Sequence, residues 1–203
     1  MDDASYHWSI SKILSGTISI NPMKVEATKI KDCFIINPKV FSDERGYFME
    51  SFNLELFNDK TGLNVHFVQD NESKSSYGVI RGLHAQQGVY AQSKLVRVLK
   101  GEVLDVVVDF RPHSETYLQH FKIKLSAKNK NQLFVPKGCL HGFSVLSKSA
   151  TFFYKCDNYY NKDSEIGLRF DDPQFNIDWQ ISENEALIST KDLNLPFYKN
   201  LKL

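Results

Sequence analysis

VIRGLHAQQGVYAQSKLVRVLK, residues 79–100, decides how this chain is read. It divides into two apolar-rich runs joined by a polar loop, the pattern of two β-strands and their connection. Side chains alternate across a strand, so His84 is expected on one face with Ile80 and Gln86, and Lys94 on one face with Val96 and Val98. An imidazole and an ammonium at inward positions are costly to bury. Two readings account for them. One is proton chemistry in a pocket. The other is a hydrogen-bonded core histidine and a lysine whose ammonium reaches water at a strand end. Arg81 stands in the same stretch.

Runs of the same kind recur from Lys24 onward: CFIINP, GYFMESF, VHFVQDN, EVLDVVVDF, FKIKLSA, NQLFVP, GFSVLS and TFFYKCDN. Lys100-Gly101 and Pro136-Lys137-Gly138 mark turns between them. About ten short strands predict an all-β fold, a cupin-type jelly-roll barrel or β-sandwich, which holds ligands in its mouth. Leu54 to Asp59 reads as a short helix. The tail after Asp157 is broken at Asp172-Pro173 and Leu195-Pro196 and is expected to be loop-rich, with a short helix near Glu183 to Leu187. Residues 1–22 are polar, rich in Ser and Ile, and end at Asn21-Pro22. They read as a flexible N-terminal extension, with 23–203 as one domain.

Bulk properties narrow the function. A net charge of +1 over 203 residues leaves no broad basic face for nucleic acid. Aromatics at 13% suit pleated sheets. Cys33, Cys139 and Cys156 are odd in number and widely spaced, so a reducing cytoplasm is expected rather than a disulfide framework. No apolar run approaches the ~20 residues of a membrane span. The start, MDDASYHWSISKIL, is acidic where a signal peptide is basic. Neither G-x-G-x-x-G nor a P-loop is present, so no dinucleotide cofactor is expected.

A cupin metal site wants two histidines one residue apart, a nearby carboxylate and a third histidine on a later strand. Here His84 is followed by Gln86, His141 stands alone in PKGCLHGF, and Glu102 and Asp105 lie beyond Lys94. Two imidazoles are too few for such a shell, so the expectation is a metal-free pocket working by acid–base chemistry. Tyr154 in TFFYKCDNYY shares a face with Phe152 and Cys156. On its own a phenol among apolar neighbours reads first as a satisfied core group and only second as an acid.

Nine segments taken in order between Met23 and Pro196 carry a resemblance: FSDERGYFMESFN, FVQDNESKSS, VIRGLH, KLVRVLKGEVLDVVVD, LSAKNKNQLFVPKG, HGF, FFYKCDNYY, DDPQFNIDW and STKD. The chain resembles the dTDP-4-dehydrorhamnose 3,5-epimerase family of cupin-fold sugar-nucleotide epimerases. That resemblance implies a cytoplasmic jelly-roll homodimer without metal or cofactor, acting in dTDP-rhamnose biosynthesis on a nucleotide-linked 4-keto-6-deoxyhexose. It implies His84 as general base, Asp192 of STKD as its orienting partner, Lys94 beside the 4-keto oxygen and Tyr154 as the acid on the opposite face. His141 becomes a further pocket residue and Arg81 a diphosphate contact. Arg45, Phe48 and Glu50 in ERGYFMES, with Gln69 and Asn71 in FVQDN, become nucleotide and phosphate contacts, some reaching in from the partner subunit. Tyr159 resembles the aromatic flanking the base. The chain departs from the family at Ala85, where an aromatic is usual, at Ser93 before the lysine, and at Cys139-Leu140 before HGF. Related readings are a C3-only or C5-only epimerase on another nucleotide sugar, and a non-catalytic sugar-nucleotide-binding cupin.

Overall fold

The computed structural model describes residues 23–201, so the expected N-terminal extension lies outside the described residues. The strands in chain order are β1 (Met23–Ala27), β2 (Phe34–Pro38), β3 (Val40–Asp43), β4 (Gly46–Met49), β5 (Gln69–Ser76), β6 (Val79–Gln86) and β7 (Lys94–Lys100). They continue as β8 (Glu102–Asp109), β9 (His120–Ser126), β10 (Gln132–Val135), β11 (Cys139–Val145), β12 (Ser149–Cys156), β13 (Glu165–Gly167) and β14 (Leu187–Ile188). Two short helices are α1 (Leu54–Thr61) and α2 (Thr190–Leu193).

One sheet runs β1-β2-β10-β7-β12-β5 and a second runs β13-β6-β11-β8-β9, with β14 also on β6. The pair make an open jelly-roll sandwich. Between the sheets lie Val96, Val98, Val103, Val107, Leu133 and Phe152. A second apolar layer backs the β6–β9 sheet, where Leu83, Leu104, Val106 and Leu140 are covered by Phe175 and Trp179 of the tail. This explains why EVLDVVVD is almost continuously apolar: β8 is buried on both faces. Trp179 is pinned there, its indole N–H donating to the Phe170 carbonyl at 2.8 Å.

Helix α1 covers part of the outer face of the other sheet. Asn53 caps its start, accepting the Leu56 N–H at 3.0 Å, and Gly62 ends it in the left-handed region at φ 70. Its Phe57 is fully buried against Leu95 and Phe134. Truncating such a ring costs about 3–5 kcal/mol.

Three expectations need correction. The run VHFVQDN is a strand only from Gln69. Val65 and Phe67 instead pack around α1, and β5 continues through the polar stretch to Ser76. An edge strand with one face in water carries little apolar signal. Residues 183–185 form a turn, not a helix, and β14 begins at Leu187. The helix follows at Thr190, where Ser189 accepts the Asp192 N–H at 3.1 Å. Strands β1, β3, β13 and β14 were not expected, the last two being only three and two residues long.

Candidate active site

A bulge in β6 builds the site. In the β6–β11 ladder His84 lies opposite His141, while Arg81 lies opposite Phe143. Three residue steps on β6 therefore match two on β11. Strict alternation would send Arg81 and His84 to opposite faces. The extra residue brings both inward, and it sends Ile80 outward to join Leu83 in the tail-covered layer. The expected face-sharing of Ile80 and His84 is thus wrong, because simple alternation does not survive a bulge. Gly82 makes the distortion feasible: its φ is +122, and a Cβ there would stand 2.6 Å from the Gly142 Cα.

Arg81, His84, Lys94, His141, Tyr154 and Asp192 line one cavity of about 700 Å³. A smaller space of about 170 Å³ shares His84, Lys94 and Tyr154 and adds Gln69, Asn71 and Tyr160. Each group has a traceable support. Lys94 opens β7, and the inward row of β12 supplies Phe152, Tyr154 and Cys156. Asn71 and Gln69 face Tyr154 and Cys156 across the β5–β12 ladder. Gln69 donates to Asn71 at 3.0 Å, and Asn71 in turn approaches the Cys156 Sγ at 3.7 Å. Arg81 Nε donates to the Ser75 hydroxyl at 3.1 Å, which fixes its stem at the rim.

Two imidazole–carboxylate pairs occur here. His84 Nε2 lies 2.8 Å from Asp192 Oδ1. Strands β13 and β14 pair with opposite ends of β6, at residues 84–86 and 79–80, and Asp192 enters between them. Its other oxygen accepts the Gly82 N–H at 3.4 Å. The second pair joins His141 Nε2 to both oxygens of Asp105, at 3.0 Å each.

Burial and charge tune these groups. Burial alone would raise the Asp192 carboxyl, but the hydrogen bond and charge of His84 outweigh it and hold the group below the usual range. Burial pushes the Lys94 ammonium down, opposed by Cys156, Asp105 and Glu165. Burial pushes the Tyr154 phenol up, helped by Cys156 and opposed by Arg81. The resting charges are therefore an ionised Asp192, a protonated Tyr154, and a lysine that gains from any negative charge placed beside it.

The remaining expected residues lie elsewhere. Among the described residues, neither cavity is lined by Arg45, Phe48, Glu50 or Tyr159. The first two sit on the exposed β3–β4 hairpin and Glu50 directly follows it. Arg45 is turned onto Asp43 there, and Phe48 is 58% exposed. Tyr159 points to solvent at 62% exposure, and its neighbour Tyr160 lines the smaller space, its hydroxyl donating to Glu165 at 3.0 Å. Glu165 and Lys191, an ion pair at the mouth, escaped the sequence reading. Lys191 was findable beside Asp192 in STKD, whereas Glu165 sits in a three-residue strand with no motif around it.

The family model described as dTDP-4-dehydrorhamnose 3,5-epimerase matches residues 27–200. The chain belongs to this family of epimerases. Among relatives of the dTDP-4-dehydrorhamnose 3,5-epimerase family, the Shigella flexneri enzyme of that name is 51% identical over 172 residues, covering 85% of this chain and 94% of that one. The crystal structure of a dTDP-4-dehydrorhamnose 3,5-epimerase from Elizabethkingia anophelis NUHP1 superposes with a TM-score of 0.86 at 54% identity, over 90% of this chain and 100% of its own. The Legionella pneumophila Philadelphia 1 dTDP-6-deoxy-D-glucose-3,5-epimerase, solved with dTDP-4-keto-L-rhamnose, gives a TM-score of 0.84 at 45% identity, over 88% and 94%. The expected jelly roll and isomerase class both hold.

Proposed function

We infer that this chain converts dTDP-4-dehydro-6-deoxy-D-glucose to dTDP-4-dehydro-L-rhamnose by inverting C3 and C5. The observation that carries the reading is that His84, Lys94 and Tyr154, from three different strands, line one cavity in a chain of this family. The ketone at C4 acidifies the neighbouring C–H bonds. Even so, roughly a dozen pKa units separate such a carbon from imidazole, about 16 kcal/mol. A base alone therefore stalls. Lys94 at the keto oxygen narrows the gap, because negative charge appears on that oxygen only as the proton leaves.

His84, held by Asp192, takes the proton from carbon and becomes imidazolium while the electron pair moves to the C4 oxygen. Tyr154 returns a proton to the opposite face and is left as phenolate. Exchange with solvent resets both groups before the second carbon is processed. Burial keeps Tyr154 protonated until this step. Arg81 at the rim is placed for the diphosphate. Gln69, Asn71 and Tyr160 are placed for the rest of the nucleotide sugar, Tyr160 taking the flanking role expected of Tyr159.

Arg45, Phe48 and Glu50 fit a homodimer in which each chain completes its partner's site. Their hairpin stands away from this chain's own cavity and exposes Phe41, Tyr47 and Phe48. The protein would work in the cytoplasm, where its three buried free thiols, Cys33, Cys139 and Cys156, stay reduced. No helix among the described residues is long and apolar enough to cross a membrane.

The test is proton NMR in heavy water with dTDP-4-dehydro-6-deoxy-D-glucose. The wild-type protein should exchange both C3 and C5 hydrogens, and His84→Ala should abolish both exchanges. Persistent exchange in that variant would remove His84 as the base. Exchange at one carbon only in the wild type would make the protein a monoepimerase.

A further inference from the structure

The Asp105–His141 pair has no place in the chemistry just described. Asp105 sits on β8 between inward-facing Val103 and Val107 and is completely buried. Among the described residues its side chain has one hydrogen-bond partner, a single ring nitrogen shared by its two oxygens. A carboxyl group so placed is costly in an apolar layer, and a valine would suit the surrounding packing.

Three facts indicate what the carboxyl does. Its two oxygens stand 3.0 Å from the same ring nitrogen, the geometry of an Nε2–H shared between two acceptors, and among the described residues Nδ1 has no protein partner. His141 lines the cavity, its ring stacked 6.0 Å from Phe152, and it lies directly opposite His84 in the β6–β11 ladder. The ring that Asp105 steadies is thus the immediate neighbour of the ring that Asp192 steadies.

The third fact is charge. The titratable groups around Lys94 are Tyr154 and Cys156 on β12, Asp105 on β8, His141 on β11, His84 on β6 and Glu165 on β13. Burial pushes the Cys156 thiol up to about 11, so it is neutral at working pH. Glu165 is engaged by Lys191 and Tyr160. Burial pushes the Asp105 carboxyl up, and His141 and Lys94 oppose it, so the contact with His141 favours the ionised, accepting form.

Resting on the epimerase reading above, we propose that Asp105 is a positioning residue for the reaction. It holds the His141 ring with Nδ1 toward the sugar.

The experiment compares full-length wild type with Asp105→Asn, measuring kcat and KM across pH and dTDP binding by calorimetry. The variant should bind dTDP within about threefold of wild type while kcat falls tenfold or more. A kcat within about threefold of wild type overturns the proposal. Should the variant not fold, nitrogen-15 spectra of the wild-type histidine rings decide: a hydrogen on Nε2 of His141 is required, and one on Nδ1 alone overturns it. If the wild type shows no exchange at C3 or C5, the epimerase reading falls and Asp105's role falls with it. An inert Asp105→Asn in an active enzyme removes the Asp105 role alone.

Discussion

Asp192→Asn separates orientation from charge at nearly constant shape. Two donors converge on this carboxylate: His84 Nε2 at 2.8 Å and the Gly82 N–H at 3.4 Å. An amide offers one acceptor and one donor. If its oxygen turns to His84, its NH2 meets the Gly82 N–H. If its oxygen turns to Gly82, its NH2 meets Nε2 and drives the ring hydrogen to the other nitrogen, the one that must receive the substrate proton. Either way a charge-assisted hydrogen bond is lost, worth about 1.5–3 kcal/mol. At 1.36 kcal/mol per decade that is about 10- to 150-fold in kcat/KM. The assay is deuterium wash-in at C3 and C5, with dTDP binding as a control. Wash-in within about threefold of wild type, with binding unchanged, would refute the orienting role of Asp192. The sign of the pH effect also follows. Asp192 is held below its unfolded value, so its contribution is complete above about pH 4 and fades as pH falls through the folded value. Between pH 5 and 8 this group should leave the wild-type profile flat.

Other expectations are quickly checked. Tyr154→Phe should slow product formation far more than exchange, and equal losses in NMR and coupled-reductase assays would deny it a separate acid role. Gly82→Ala should cost at least about 2 kcal/mol through the clash with Gly142 and the positive φ, lowering Tm by about 4–8 °C. An unchanged melting curve would mean the bulge relaxes freely. Asp109 receives Arg111 Nη2 at 2.7 Å and the Ser114 and Thr116 hydroxyls at 2.6 Å each. These donors outweigh burial and hold its carboxyl far below the usual range. Asp109→Asn should lose about 3 kcal/mol in urea unfolding at pH 7. Because the native group is the more acidic, the gap from wild type should narrow below about pH 4, and a constant gap down to pH 2 would count against the ion network.

Much of this was legible in the residues. Lys94 with Val96 and Val98, and Tyr154 with Phe152 and Cys156, follow from alternation alone, because β7 and β12 carry their inward rows without interruption across the site. His84 is different. Its face was guessed with Ile80, and only the inter-strand register shows that Gly82 and Leu83 displace the pattern. Polar β5 hid its own start, since QDNESKSS looks like a loop until β12 is seen beside it. Glu165 and Asp105 were silent for a shared reason. Their importance lies in what faces them from other strands, and a linear string does not record that. Tyr159 and Tyr160 differ by one position in the loop after β12; both are largely exposed, and only Tyr160 lines the smaller space.

Asp192 reaches His84 from 108 residues further along the chain, delivered by the tail between the two short strands that pair with β6. A nascent polypeptide on the ribosome can thus close its sandwich and present the imidazole long before the carboxylate has been synthesised. Proteolytic clipping ahead of Ser189 would remove the carboxylate together with Ser189 and Lys191, which line the same cavity.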